Sequence, residues 1–167
     1  MSIADFRAEF VFFSEHPQWV YLDNAATSHK PHDVVVSMQQ FYQRDNSNVH
    51  RSAHSLAATA TTQLEQARHD ILQFVNASAD YQLIFSAGAT MALNQLAFGL
   101  MHSVLQAGDL VVVSSLEHHA NIVPWQFHCK GVELQAIPLT ANGELDLAAY
   151  QQLLQRKPKV EIGRAHV

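Results

Sequence analysis

Glu117-His118-His119-Ala120-Asn121 gathers a carboxylate, two imidazoles and an amide within five residues, directly behind the apolar run Leu110-Val111-Val112-Val113. Open α/β sheets keep their chemistry at the carboxyl ends of such buried strands. The histidines could ligate a metal, support a cofactor or cap a helix. Neighbours on a helix point about 100° apart, whereas two zinc ligands on one helix are better served by i,i+4 spacing, and no adjacent cysteine or third ligand is evident. No metal site is expected. An imidazole face can instead lie flat against an aromatic cofactor while a neighbour holds one ring nitrogen; capping or surface packing is the plainer alternative.

Three further clusters could bind. Ser86-Ala87-Gly88-Ala89-Thr90 joins an expected strand to an expected helix. Glycine permits the turn, and amides at the helix start, helped by the Thr90 hydroxyl, would suit a phosphate, although any such turn favours small residues. It has neither the lysine of a P-loop nor the spaced glycines of a dinucleotide loop. Asn48, His50, Arg51 and His54 lie in a polar stretch, where Arg51 could pair with a carboxylate or phosphate, or simply face solvent. Asp23-Asn24-Ala25-Ala26-Thr27 is the last cluster, a close-approach loop or a plain Asx turn.

These residues need elements to hold them. Met1 to Phe13 reads as a short amphipathic helix and Val20-Tyr21-Leu22 as a short extended segment. Pro31 opens a helix through Tyr42 with Val34, Val35, Met38, Phe41 and Tyr42 on its apolar face. A second helix, from Leu56 to Val75, buries Leu64, Ala67, Ile71, Leu72 and Val75. Tyr81–Phe85 is expected as a strand, Ala89 to Leu105 as a helix, Leu110 to Val113 as a strand, and His119 to Cys129 as a helix. Val132 to Ile137 is then a strand and Asp146 to Gln155 a helix. Alternation of this kind predicts an α/β layer structure with a mostly parallel sheet and flanking helices.

The formal charge of −5, without a basic stripe, argues against a nucleic-acid partner. No run approaches the roughly 20 apolar residues that span a bilayer, and Asp5, Arg7 and Glu9 interrupt what a secretory signal would keep apolar. No membrane association is expected. Cys129, the single cysteine, precludes an internal disulfide framework and fits a cytoplasmic location.

Tyr21 to Thr27, Asn48-Val49-His50-Arg51, Gly88-Ala89-Thr90 and, above all, Glu117 to Trp125 resemble the amino-terminal part of class V aminotransferase-type enzymes dependent on pyridoxal 5'-phosphate (PLP). Within these the chain is most similar to cysteine desulfurases of the SufS and CsdA type. The resemblance implies an incomplete large domain of the PLP-dependent transferase fold type I, with residues 1–19 as helix and lead-in and 20–160 as PLP domain. It implies that Ala89 and Thr90 bind the cofactor phosphate and that His118 stacks on the pyridine ring and moves protons. His119 and Asn121 would orient the strand end and first helical turn. Asp23, Ala25 and Ala26 would line the substrate side, and His50 and Arg51 an active-site mouth at a dimer interface. The parent enzyme would be a homodimer converting L-cysteine to L-alanine and passing sulfur through an enzyme persulfide to an acceptor protein. Selenocysteine lyase, another class V lyase or aminotransferase, and a non-catalytic truncated partner subunit are the alternatives.

Two departures stand out. The family often has Arg-Gly-Thr-Thr-Glu where this chain has Ala87-Gly88-Ala89-Thr90-Met91, so one hydroxyl and two charges are absent. The family's cofactor-bearing lysine, ring-nitrogen Asp, substrate-carboxylate Arg and mobile-loop cysteine have no counterparts here; Lys130, Lys157, Lys159 and Cys129 do not occupy such positions. The chain alone is expected not to turn over. Glu161 to Val167 matches the conceptual translation of a common sequencing adapter, and residues 161–167 are expected to be a non-native tail, set aside from fold reasoning.

Overall fold

A computed structural model describes residues 2–50 and 53–163. They fall into two compact units, Met1–Leu83 and Ile84–Val167.

In the first unit the expected amino-terminal helix is two helices, α1 (Ile3–Ala8) and α2 (Val11–Glu15). A capping box starts α1: Ser2 Oγ accepts the Asp5 amide at 3.1 Å and Asp5 Oδ2 accepts the Ser2 amide at 2.8 Å. The break comes at Phe10, which is extended and meets Phe6 and Phe13 edge-on at 5.2 and 6.0 Å. Aromatic packing thus holds the bend. Pro31 precedes α3 (His32–Gln40), which passes into a π-helical turn, Phe41–Asp45. Val34, Val35, Met38 and Tyr42, expected on the buried side, are exposed; of the apolar residues here, Val36 and the expected Phe41 are half-buried.

The long helix α4 (Ser55–Phe74) begins where His54 Nδ1 accepts the Ala57 amide at 3.3 Å. Its inner stripe is Ala57, Ala60, Thr61, Leu64, Arg68 and Leu72. This corrects the expected phase: Ala67, Ile71 and Val75 are exposed. Small residues at positions 57 and 60 permit close packing, and their burial sets the rotation of the helix.

The second unit is a parallel sheet between helices. Helix α5 (Ala89–Ser103) leads to β1 (Leu110–Ser114). A single 3₁₀ turn (His119–Asn121) and α6 (Val123–His128) cross to β2 (Glu133–Ile137). Helix α7 (Leu147–Gln155), capped by Asp146 Oδ1 at 3.0 Å from the Ala148 and Ala149 amides, returns to β3 (Val160–Ile162). The order is β2-β1-β3, with Val112 opposite Gln135 and Glu161.

The crossovers run in opposite directions along the sheet, so a common right-handed sense places α6 and α7 on opposite faces. Packing agrees with this. Val111 and Val113 join Ala97, Leu105, Trp125, Cys129 and Ile162, while Leu110 and Val112 join Ile137 and pack with Leu145, Tyr150 and Leu153. A period of two on a strand covered on both sides explains why all five β1 residues are buried.

Tyr81–Phe85 does not form the expected strand, and Val20–Leu22 is likewise outside any ladder. β-propensity describes fit to a pleated surface and becomes a strand only with a partner. Here the Leu83 carbonyl accepts from the Arg68 guanidinium instead. Glu161 and Ile162, set aside with the tail, belong to β3, and Ile162 is buried in the core.

Candidate functional site

At the end of β1, Ser114 is buried and its Oγ accepts the Leu116 amide at 3.1 Å. The chain then leaves the sheet through Glu117, whose Oε2 accepts from Asn121 Nδ2 at 2.8 Å. That bond clasps the 3₁₀ turn. His118 is its N-cap: the backbone is extended, and Nδ1 accepts the Ala120 amide at 3.0 Å. An accepting ring nitrogen carries no proton, so the neutral ring has its proton on Nε2. Among the described residues Nε2 has no hydrogen-bond partner, and the side chain is exposed. Capping therefore uses the Nδ1 edge of the ring and leaves the Nε2 edge free among the described residues.

The start of α5 supplies the second group of donors. Gly88 is the N-cap at φ 147°, ψ 173°, and among the described residues no side chain caps the helix. Ser86 Oγ donates to the Gly88 carbonyl at 3.0 Å, holding the turn. The first α5 amide with an acceptor inside the turn is that of Ala92, bonded to Gly88 O at 3.0 Å. The amides of Ala89, Thr90 and Met91 thus stand at the positive end of a 15-residue helix. No acidic residue occupies this first turn, a consequence of Met91. Exposed amides, the Thr90 hydroxyl and the absence of a nearby carboxylate together fit a phosphate dianion.

Both donor groups belong to one unit, and α5 packs against the 3₁₀ turn and α6. Asn94 Nδ2 donates to the Thr90 carbonyl at 2.8 Å, and Asn94 Oδ1 faces His128 Nε2 at 3.0 Å. Neither Asn94 nor His128 is marked by any spacing rule, because a pair 34 residues apart in sequence carries no local signal.

The remaining candidates lie in the first unit. Asp23 sits in a turn whose carbonyl accepts the Ala26 and Thr27 amides at 3.1 and 3.2 Å, with Ala25 within it. The Tyr21 hydroxyl reaches the Thr27 carbonyl at 2.7 Å. This is a backbone turn; no hydrogen bond to the Asp23 carboxylate is found among the described residues. His50 has a left-handed backbone at φ 67°, with its amide bonded to Thr61 Oγ1 at 3.0 Å and Nε2 3.7 Å from Glu65 Oε1. Arg51 lies outside the described residues.

Residues 20–162 match the aminotransferase class-V family. The chain belongs to that family. Among class-V relatives, it is 47% identical over 150 residues to a probable cysteine desulfurase of Vibrio cholerae, covering 89% of this chain and 37% of that protein. With a cysteine desulfurase of Pectobacterium atrosepticum it shares 38% identity over 142 residues, 84% of this chain and 35% of the relative. The chain therefore spans little more than a third of the length of these relatives.

Solved structures agree. The apo cysteine desulfurase of Thermococcus onnurineus superposes with a TM-score of 0.83 at 31% identity, over 97% of this chain and 40% of that one. The Escherichia coli cysteine desulfurase CsdA, in an S-sulfonic acid form, gives 0.76 at 35% identity, over 96% and 40%. The α/β architecture is that of the PLP-dependent fold type I large domain, with a parallel sheet and flanking helices. Among the described residues no helix is long and apolar enough to cross a membrane.

Proposed function

We propose that this chain is the amino-terminal part of a cytoplasmic, homodimeric PLP-dependent cysteine desulfurase. The parent converts L-cysteine to L-alanine and leaves the sulfur as a persulfide on an enzyme cysteine, for iron-sulfur or related transfer to an acceptor protein. One observation carries this reading: an uncapped helix start at Gly88-Ala89-Thr90 and a backbone-pinned His118 at the exit of β1 occupy the same unit.

PLP, when bound, supplies an electron sink for bonds broken at the substrate. The amides of Ala89 and Thr90, with Thr90 Oγ, hold its phosphate in this reading. His118 presents its ring face to the pyridine and carries a proton at Nε2, the edge that the Ala120 contact leaves free. Asp23, Ala25 and Ala26 are assigned to the substrate side, and His50 and Arg51 to the mouth of the site at a dimer interface. These assignments rest on the resemblance of their segments.

Lys130, Lys157 and Lys159 sit in no Ser-x-His-Lys-type segment, and Lys30, although it closes Thr27-Ser28-His29-Lys30, lies in the segment assigned to the substrate side ahead of the phosphate turn, so the chain alone is expected to bind PLP without turnover. Equilibrium dialysis should show PLP retained by the chain and retained less by Thr90→Val. The full-length parent, given L-cysteine, should release alanine and carry a persulfide. Absence of cysteine-dependent alanine would overturn the reading, and selectivity for selenocysteine would redirect it to a lyase.

A further inference from the structure

The polar bridge Thr90–Asn94–His128 joins two elements that the proposed cofactor site needs. Its hydrogen-bond directions follow from chemistry. The Thr90 carbonyl can only accept, so the group 2.8 Å from it must be the Asn94 amide nitrogen. That fixes the side-chain amide and turns Oδ1 toward His128, 3.0 Å away. An amide oxygen can only accept, so His128 Nε2 is the donor, in the neutral and the protonated ring alike.

Each end of the bridge is anchored. Asn94 lies one helical turn after Thr90, so its side chain braces the turn that offers the Ala89 and Thr90 amides. His128 ends α6 and is half-buried, with Phe98 and Phe127 edge-on at 5.8 and 5.2 Å. One residue on, Cys129 Sγ reaches the Ala97 carbonyl at 3.7 Å, a second contact between the same elements. α6 follows His118 through the 3₁₀ turn, whose Asn121 amide bonds the His118 carbonyl at 2.7 Å and whose C-cap, Ile122, is also the N-cap of α6.

We propose that Asn94 and His128 are positioning residues, which set the first turn of α5 against the segment carrying His118 and so hold the phosphate donors and the stacking imidazole in fixed relation. This rests on the reading of Thr90 and His118 given above. Neither residue touches the cofactor in this scheme. Each acts through Thr90 or through α6.

The test uses the purified chain with PLP, pyridoxal and inorganic phosphate as probes. His128→Leu removes the donor; His128→Gln keeps an amide donor on a side chain of useful reach. A lost hydrogen bond is worth about 0.5–1.5 kcal/mol, so His128→Leu should weaken PLP binding by roughly three- to tenfold. His128→Gln should recover most of that loss, and Asn94→Leu should reproduce it. Without any probe, the amide resonances of Ala89, Thr90 and Met91 and the His118 ring signals should shift in His128→Leu and return in His128→Gln. A purely structural role would lower the melting temperature of both variants without Gln-specific recovery of binding.

Unchanged affinity and unchanged resonances in His128→Leu would overturn the positioning role while leaving the cofactor site intact. Wild-type chain that retains neither PLP nor phosphate would overturn the site itself, and this proposal with it. The two failures are therefore distinct.

Discussion

Gly88 adopts a backbone conformation, φ 147° and ψ 173°, that is essentially reserved for glycine. A Cβ built there meets no heavy atom within 4 Å, so crowding adds nothing to the penalty. Gly88→Ala should cost about 1–3 kcal/mol of stability, measured as a lower urea midpoint at unchanged slope. A wild-type midpoint would mean that the turn relaxes without the glycine. The ion pair of Arg156 with Glu133 is a second residue-level case: its nitrogen lies 2.5 Å from Oε2. Arg156 first, then Gln135, holds the Glu133 carboxyl below its ordinary 4.5. Its stabilisation is present above the pKa of the unfolded chain and is lost as pH falls through the lower folded value. Wild type should therefore melt slightly above Glu133→Gln at neutral pH, and the two should converge as pH falls below the ordinary 4.5 and through the lower folded value. A gap that persists in acid would show that the glutamine disturbs packing rather than charge.

At the scale of elements, α6 gives the sharpest contrast. Trp125 is 2% exposed, yet its indole Nε1 has no hydrogen-bond partner among the described residues. An unsatisfied buried donor costs what the lost volume of a smaller ring would otherwise forfeit, so Trp125→Phe should fall within about 1 kcal/mol of wild type. Trp125→Ala should lose about 3–5 kcal/mol. Denaturant titration of both variants separates polar desolvation from packing, and an equal loss in both would show that the indole nitrogen is satisfied in solution. Elements whose stability is local were legible in the sequence. α7 has Asp146 as a cap and a helical period, and β1 is an unbroken apolar run with buried neighbours on both faces. Elements that depend on a distant partner were not. Tyr81–Phe85 has strand composition without a ladder, and the phase of α4 is set by close packing at Ala57 and Ala60 rather than by its larger apolar residues. The candidate site divides in the same way. His118 and Gly88-Ala89-Thr90 stand out by local motif, whereas Asn94 and His128 meet only in the folded unit.

Across the whole molecule, the chain carries a formal charge of −5, and rising pH makes it more negative. General self-repulsion then weakens the compact state gradually. Two specific groups in the second unit add a steeper dependence. Burial pushes the Cys129 thiol above its ordinary 9.0, and Tyr150, whose hydroxyl donates to Glu161 at 2.5 Å, is held above its ordinary 10.0 first by that hydrogen bond and then by desolvation. As pH rises the unfolded chain gives up these protons first, so the folded state is the more protonated one. Their stabilisation is complete below the unfolded values and is lost as pH climbs through the raised folded values. Urea midpoints should hold steady from about pH 7 to 8.5 and then fall increasingly steeply. In Cys129→Ala combined with Tyr150→Phe the starting midpoint will differ, but the alkaline slope should flatten to the shallow decline expected of general repulsion. An unchanged slope in the double variant would transfer the alkaline loss from these two protons to the net charge of the chain.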